Sequence, residues 1–303
     1  MARFPVAGYK STEVVRRHRM KVEDAMTPRS SLVTVELPGS RDDALEYLQE
    51  RSFSSVPVVK SEDGVERFRG LVSREKLIEN PNEDQLALLL EEVPTIGREA
   101  NLRELCSLMV SNGARRIPVV DGELEGIITI TDMIRAIANG DVPGATEVGA
   151  VADRHVNSVY GGAPLVVAER ELFYANESYA VVLDAEGAMD GIITAVDIID
   201  VAEVVEGEEG TGDSIANQDS EWLWEGIKAV GNRYLPTRNV EFPDAPVDEF
   251  KTEEVVTVTT RRTAAEAAQL MIQHDIEQIP LVSGDTLIGI VQDMHLLEAA
   301  MDE

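Results

Sequence analysis

One pattern of residues recurs four times in this chain, and that recurrence limits its fold more than any other feature. The copies end alike, as RSFSSVPVV…GLVS, NGARRIPVV…GIIT, NESYAVVLD…GIIT and HDIEQIPLV…GIVQ. Repetition on this scale marks one supersecondary unit that buries its apolar face only against its neighbours. The glycines that open the last strand of each copy, Gly70, Gly126, Gly191 and Gly289, lie 56, 65 and 98 residues apart. The fourth copy therefore arrives late. The extra length runs from Glu203 to about Asp248, and its opening, EVVEGEEGTGDSIANQDSE, holds seven acids and no base, which reads as a solvated linker.

Within each copy the order of elements is the same. A short β-branched run comes first (SLVTVE, VPTIG, VNSVY, VVTVTT), followed by an amphipathic helical stretch (RDDALEYLQE, NLRELCSLMV, PLVVAERELFYA, TAAEAAQLMIQ) with apolar positions three and four apart. Two further runs follow, such as IPVV and GIITI, separated by turn residues like Asp121 and Gly122, the signature of a hairpin. A closing helix ends the unit: REKLIEN, TDMIRAIAN, VDIIDVAE or MHLLEAA. The unit is strand, helix, strand, strand, helix, and the fold class is mixed α/β (α+β) with four βαββα repeats. The boundaries fall at 22–81, 85–142, 147–203 and 247–303, with an N-terminal segment 1–21 and an acidic linker with a Trp-containing helix at 204–246.

This element order, the PVV strand, and G-[IV]-[IV]-[TS]-x-x-D running into a helix resemble cystathionine-β-synthase-type (CBS) domains. The resemblance spans roughly residues 22 to 300. It implies that repeats pack in pairs through their sheets, repeats 1 and 2 forming one module and repeats 3 and 4 the other, with clefts between the members of a pair. It also implies an adenosine-containing ligand. In ligand-binding members the aspartate of T-x-x-D accepts hydrogen bonds from the ribose hydroxyls, and the hydroxyl residue three earlier faces phosphate. The chemistry is sound: a carboxylate offers acceptors to a vicinal diol, and a helix start offers free N–H groups to an anion.

Repeat 2 carries the full set, Gly126, Thr129, Thr131 and Asp132, and repeat 3 carries Thr194 and Asp197. The same residues also make good N-terminal caps, so ligand binding and helix capping both remain open. Just before the PVV strand, relatives that bind phosphorylated nucleotides often carry His or Arg, and repeat 2 has Arg115 and Arg116 there. Their forks suit phosphate oxygens, although they could instead neutralise surface carboxylates. The matching pairs are Ser54 and Ser55, Ser178 and Tyr179, and Glu277 and Gln278. Repeat 1 has Lys76 in the aspartate's place, and repeat 4 has Gln292 and His295 at the key positions. The resemblance implies one competent cleft per module, the first centred on Asp132 and flanked by Thr27 from repeat 1, the second on Asp197.

Composition excludes several other functions. A formal charge of −29, with six lysines and twenty-one arginines, argues against nucleic acid as a partner and resembles the cytosolic proteins of a halophilic archaeon. No apolar run is long enough for a membrane span or a signal peptide, so a cytoplasmic protein is expected. The lone Cys106 lies among helical apolar residues and reads as core, and His18, His155, His274 and His295 do not cluster as metal ligands. GEEGTGDS has P-loop spacing but places Asp213 where the lysine belongs. Trp222, Trp224 and Ile227 could pack on the second module or dock a partner.

The reading is therefore a regulatory sensor with no catalytic residues and no required cofactor, which binds AMP, ADP, ATP or S-adenosylmethionine and acts on an unidentified protein. The alternative is a non-catalytic scaffold for self-association with empty clefts. Two modules could close a disc within one chain, or two chains could stack as a homodimer.

Overall fold

The computed structural model describes residues 20–50, 55–73, 76–77, 80, 83–201, 203–206 and 238–301. Residues 1–19 of the N-terminal segment, the GEEGTGDS segment and the Trp222/Trp224 stretch lie outside them.

Repeat 1 opens with α1 (Val22–Ala25) and β1 (Thr27–Pro28), then runs through β2 (Val35–Leu37), α2 (Arg41–Glu50), β3 (Ser55–Glu62) and β4 (Val65–Ser73). Repeat 2 contains α3 (Leu102–Asn112), β5 (Arg116–Asp121), β6 (Glu123–Thr129) and α4 (Ile130–Asn139). Repeat 3 is β7 (Ser158–Tyr160), α5 (Leu165–Ala175), β8 (Tyr179–Leu183), β9 (Met189–Thr194) and α6 (Ala195–Asp200). After β10 (Glu203–Glu206) and β11 (Arg238–Glu241), repeat 4 follows as β12 (Val258–Thr259), α7 (Ala264–His274), β13 (Gln278–Ser283), β14 (Thr286–Gln292) and α8 (Asp293–Met301). The expected βαββα order is complete in repeats 3 and 4, and in repeat 1 it holds as far as β4, most of the REKLIEN stretch lying outside the described residues. Repeat 2 differs in one respect: its VPTIG run makes only an isolated parallel bridge, Ile96 to Val119, flanked by Pro94 and Gly97. The acidic linker is also not structureless at its ends, because β10 pairs antiparallel with β11.

In each repeat the last two strands form an antiparallel hairpin, and the register slips at the same place, beside Val58, Val119, Val182 and Leu281. These residues lie opposite Gly70, Gly126, Gly191 and Gly289, the four recurring glycines. What the glycines make room for is the partner repeat. Thr27 pairs with Ile127, Glu91 with Leu71, Asp153 with Ile290 and Thr252 with Ile192. A Cβ on Gly126 would stand 2.5 Å from the Thr27 carbonyl oxygen, and one on Gly70 2.8 Å from that of Glu91. On Gly289 it would stand 2.5 Å from the Asp153 oxygen, and on Gly191 3.0 Å from that of Thr252. Each repeat thus lays its opening segment on the last strand of its neighbour, which builds one module from repeats 1 and 2 and another from repeats 3 and 4.

The modules meet through helices. α4 packs on α7 and α8, and α3 packs on α8. One apolar cluster runs through this contact, including Leu105, Met109, Met133 and Ile137 of repeat 2 with Ala268, Met271, Leu296 and Leu297 of repeat 4. Repeats 1 and 3 keep cores of their own, centred on Leu48 and Val58 in the first and on Leu165 and Val182 in the other. The helices of repeat 3 leave Val166, Tyr174, Val196 and Ile199 exposed.

Candidate functional site

The candidate cleft of the first module forms around the end of β6. The sheet order is β1-β6-β5, so this strand receives a segment of repeat 1 on one edge and its own hairpin partner on the other. Thr27 lies opposite Ile127 on the first edge, and Arg116 lies opposite Thr129 on the second. Thr129 then caps α4. Its backbone N–H and its hydroxyl both donate to Oδ2 of Asp132, at 2.9 and 2.8 Å. The other oxygen, Oδ1, accepts from Arg135 at 3.0 Å in a pair whose arginine is half exposed. Thr131, the second residue of α4, is exposed. Asp132 is therefore a capping residue whose carboxylate is largely sheltered, and its pair with Arg135 is of the solvent-facing kind worth at most about 1 kcal/mol.

The two arginines differ. Arg115 donates in a fork to Asp293 of repeat 4, Nη1 to Oδ1 at 3.0 Å and Nη2 to Oδ2 at 2.6 Å, and its Nη2 also lies 2.9 Å from Glu277. Burial works against its charge, but the Asp293 and Glu277 carboxylates outweigh that and hold the guanidinium above its ordinary value. Asp293 is nearly fully buried, and burial raises its carboxyl despite Arg115. The two-bond fork ties the residues together. Arg116 has no hydrogen bond or ion pair among the described residues. Half-buried at the start of β5, it is pulled below its ordinary value by burial first and by the Arg115 charge second, against Glu277.

The second module repeats the capping arrangement at Asp197. The N–H and hydroxyl of Thr194 donate to its Oδ2 at 2.8 and 2.7 Å, and Asp197 N–H returns a bond to the Thr194 hydroxyl at 3.3 Å. No bond to its second oxygen occurs among the described residues. The same module holds a cation that the repeat pattern did not single out: Lys251 lies against Gly191 and pairs with Asp190 and Asp248. Lys251 precedes Thr252, as Met26 precedes Thr27, and that alignment was the signal for it. In repeat 4, Gln292 N–H donates to His295 Nδ1 at 3.1 Å, and in repeat 1 Lys76 N–H donates to the Ser73 hydroxyl at 3.1 Å. A groove of about 350 Å³ lined by Thr34, Val35, Glu36, Asp43 and Tyr47 lies in repeat 1 and includes none of these residues. Among the described residues no group of three His, Cys, Asp or Glu could hold a metal, and no helix is long and apolar enough to cross a membrane.

Comparison with known proteins agrees with the geometry. The CBS domain model matches residues 22–83, 87–139 and 247–302, leaving repeat 3 to be recognised by its element order. An uncharacterized protein of Methanocaldococcus jannaschii is 25% identical over 283 residues, covering 93% of this chain and 62% of that protein. A chloroplastic CBS domain-containing protein of Arabidopsis thaliana is 29% identical over 148 residues, 38% of this chain and 62% of its own length. The chain thus spans about three-fifths of the length of these relatives. A crystal structure of an uncharacterized conserved protein from Pyrococcus horikoshii superposes with a TM-score of 0.65 at 26% identity, covering 93% of this chain and all of that one. A second Methanocaldococcus jannaschii protein, described as a putative archaeal homologue of the γ subunit of AMPK, shares the fold at a TM-score of 0.61 and 18% identity, covering 92% and 99%. With four βαββα repeats in two interleaved pairs and the family model matching more than half its length, the chain belongs to the CBS domain family.

Proposed function

We propose that this protein is a cytoplasmic regulatory sensor that holds an adenosine-containing ligand, AMP, ADP, ATP or S-adenosylmethionine, in the cleft between repeats 1 and 2. The observation that carries this reading is the grouping around the end of β6: Thr27 from repeat 1 on one edge, Arg116 on the other, and Thr129 leading into the helix that bears Asp132. In the proposed complex the Asp132 carboxylate accepts from the ribose hydroxyls, in exchange for its exposed partner Arg135. Thr129, Thr131 and the first N–H groups of α4 face the phosphate, with Arg115 and Arg116 supplying charge. Asp197 and Thr194 would form a second, weaker cleft in the other module, which also carries the cation Lys251. Binding changes how the modules pack, and a partner protein reads that change; no step of chemistry is assigned to the chain.

Calorimetric titration at molar salt with the four ligands, on wild type, Asp132→Ala and Asp197→Ala, tests this. At least one ligand binds, and Asp132→Ala weakens it at least about tenfold, the cost of roughly one charge-assisted bond pair. Binding that ignores Asp132→Ala and disappears in Asp197→Ala moves the site to the second module. No binding to any of the four leaves the scaffold reading in its place.

A further inference from the structure

Asp293 occupies a position where its repeat relatives have no acid. It is the first residue of α8, and the equivalent first residues of α4 and α6 are Ile130 and Ala195. The equivalence is exact in the backbone: Ile130 N–H donates to the Arg115 carbonyl at 2.8 Å, and Asp293 N–H to the Glu277 carbonyl at 3.0 Å. The starts of α4 and α8 therefore come together at Arg115. Thr129 and Asp132 lie within two residues of Ile130, so the backbone of Arg115 is anchored at the helix start that carries Asp132, while its guanidinium reaches Asp293.

A carboxylate and a phosphate offer a guanidinium the same pair of oxygens. Beside this fork stands Arg116, half-buried and without a counter-ion among the described residues, in a chain of net charge −29. We propose that Arg115 and Arg116 form one anion subsite for the phosphate of a ligand seated at Asp132, and that Asp293 of repeat 4 fills half of it until that phosphate arrives. This rests on the nucleotide reading above and narrows it to phosphorylated adenosine, since the sulfonium of S-adenosylmethionine brings no anion to the arginines. It also supplies a signal. Phosphate that takes Arg115 leaves the nearly buried Asp293 without its partner and weakens the contact between repeats 2 and 4 at its polar edge.

The test is titration of the full chain with AMP and with adenosine, at matched molar salt, in wild type, Asp293→Asn and Glu277→Gln. Removing the competitor frees Arg115: Asp293→Asn tightens AMP about tenfold, as expected for one released charge-assisted contact, and leaves adenosine unchanged. Glu277→Gln, at an exposed side chain that leaves folding intact, tightens AMP by a smaller factor of about two to three, in keeping with a solvent-facing pair. AMP affinity that is unchanged or weaker in folded Asp293→Asn, or adenosine affinity that moves as much as that of AMP, overturns the proposal. If Asp293→Asn does not fold, AMP affinity in Glu277→Gln equal to wild type overturns it instead. AMP binding that ignores both variants refutes this inference alone, whereas no AMP binding in any form refutes the nucleotide reading with it.

Discussion

Repeats 2 and 4 present the same backbone positions to each other and fill them with opposite chemistry. Arg115 in one matches Glu277 in the other, Ile130 matches Asp293, and Asp132 matches His295. Both helices are capped, yet repeat 2 uses a carboxylate for the Thr129 N–H and repeat 4 an imidazole for that of Gln292. Capping therefore demands only an acceptor. Repeat 1 makes a different bond at this turn, Lys76 N–H donating to the Ser73 hydroxyl, so it is the imidazole of repeat 4 that shows the cap does not require an acid. The comparison supports a ligand role for Asp132. Among the described residues repeats 2 and 4 share one core while repeats 1 and 3 have cores of their own, and the Arg115–Asp293 pair spans the repeats that share.

Four measurements break or sharpen that comparison. The largest effect is expected from Leu297→Ala, which empties a fully buried site in the shared core and should cost about 2–5 kcal/mol by chemical denaturation. Repeats 2 and 4 should lose stability together. Leu48→Ala, equally buried in the separate core of repeat 1, should leave amide protection in α4 and α8 at its wild-type level. Next is Gly126→Ala, whose methyl would meet the Thr27 carbonyl at 2.5 Å and the Met26 sulfur at 2.8 Å. A cost of about 1–3 kcal/mol is expected, against no more than about 0.5 for Gly97→Ala, which has open space around it.

The third concerns pH. Burial raises the Asp293 carboxyl, so the native state takes up this proton at higher pH than the unfolded chain does. Its contribution to stability is accordingly present at low pH and lost as pH rises through the window above the ordinary aspartate value. Asp293→Asn should flatten the unfolding free energy in that window by removing the downward slope; an unchanged slope would assign it to other groups. The smallest effect is chemical. Burial pushes the Cys106 thiol up to about 12, with Arg103 opposing, so a thiol reagent at pH 8 should label it only on the unfolding timescale.

The repeats, their element order and most helix limits were readable because apolar spacing records them directly: α2 spans Arg41–Glu50, the residues of RDDALEYLQE. The four glycines were equally visible, but their reason was not, since the carbonyl each one admits belongs to a segment some 20 to 140 residues away in sequence. The same limit applied to the arginines. Sequence placed Arg115 and Arg116 side by side as equals, and only the fold brings Asp293, 178 residues away, onto one of them. Ile96 was expected in a strand from its β-branched neighbours, whereas a proline and a glycine around it reduce the pairing to a single bridge. The acidic opening of the linker was read from charge alone, and charge carries no information about β11, which pairs with it.

The shared core has a further consequence for how the chain reaches its native state during synthesis. The apolar face of α4, with Met133 and Ile137, is complete once residue 139 has been made, but its cover is α7 and α8, and the latter ends at Met301. At ~5–20 residues per second, the roughly 150 residues between the start of α8 and the end of α4 take about 8–30 s to translate. For that interval the first module must keep a sticky helix face exposed in the cell, so the growing chain has a window in which a chaperone, or a neighbouring copy, reaches that face before its own repeat 4 does.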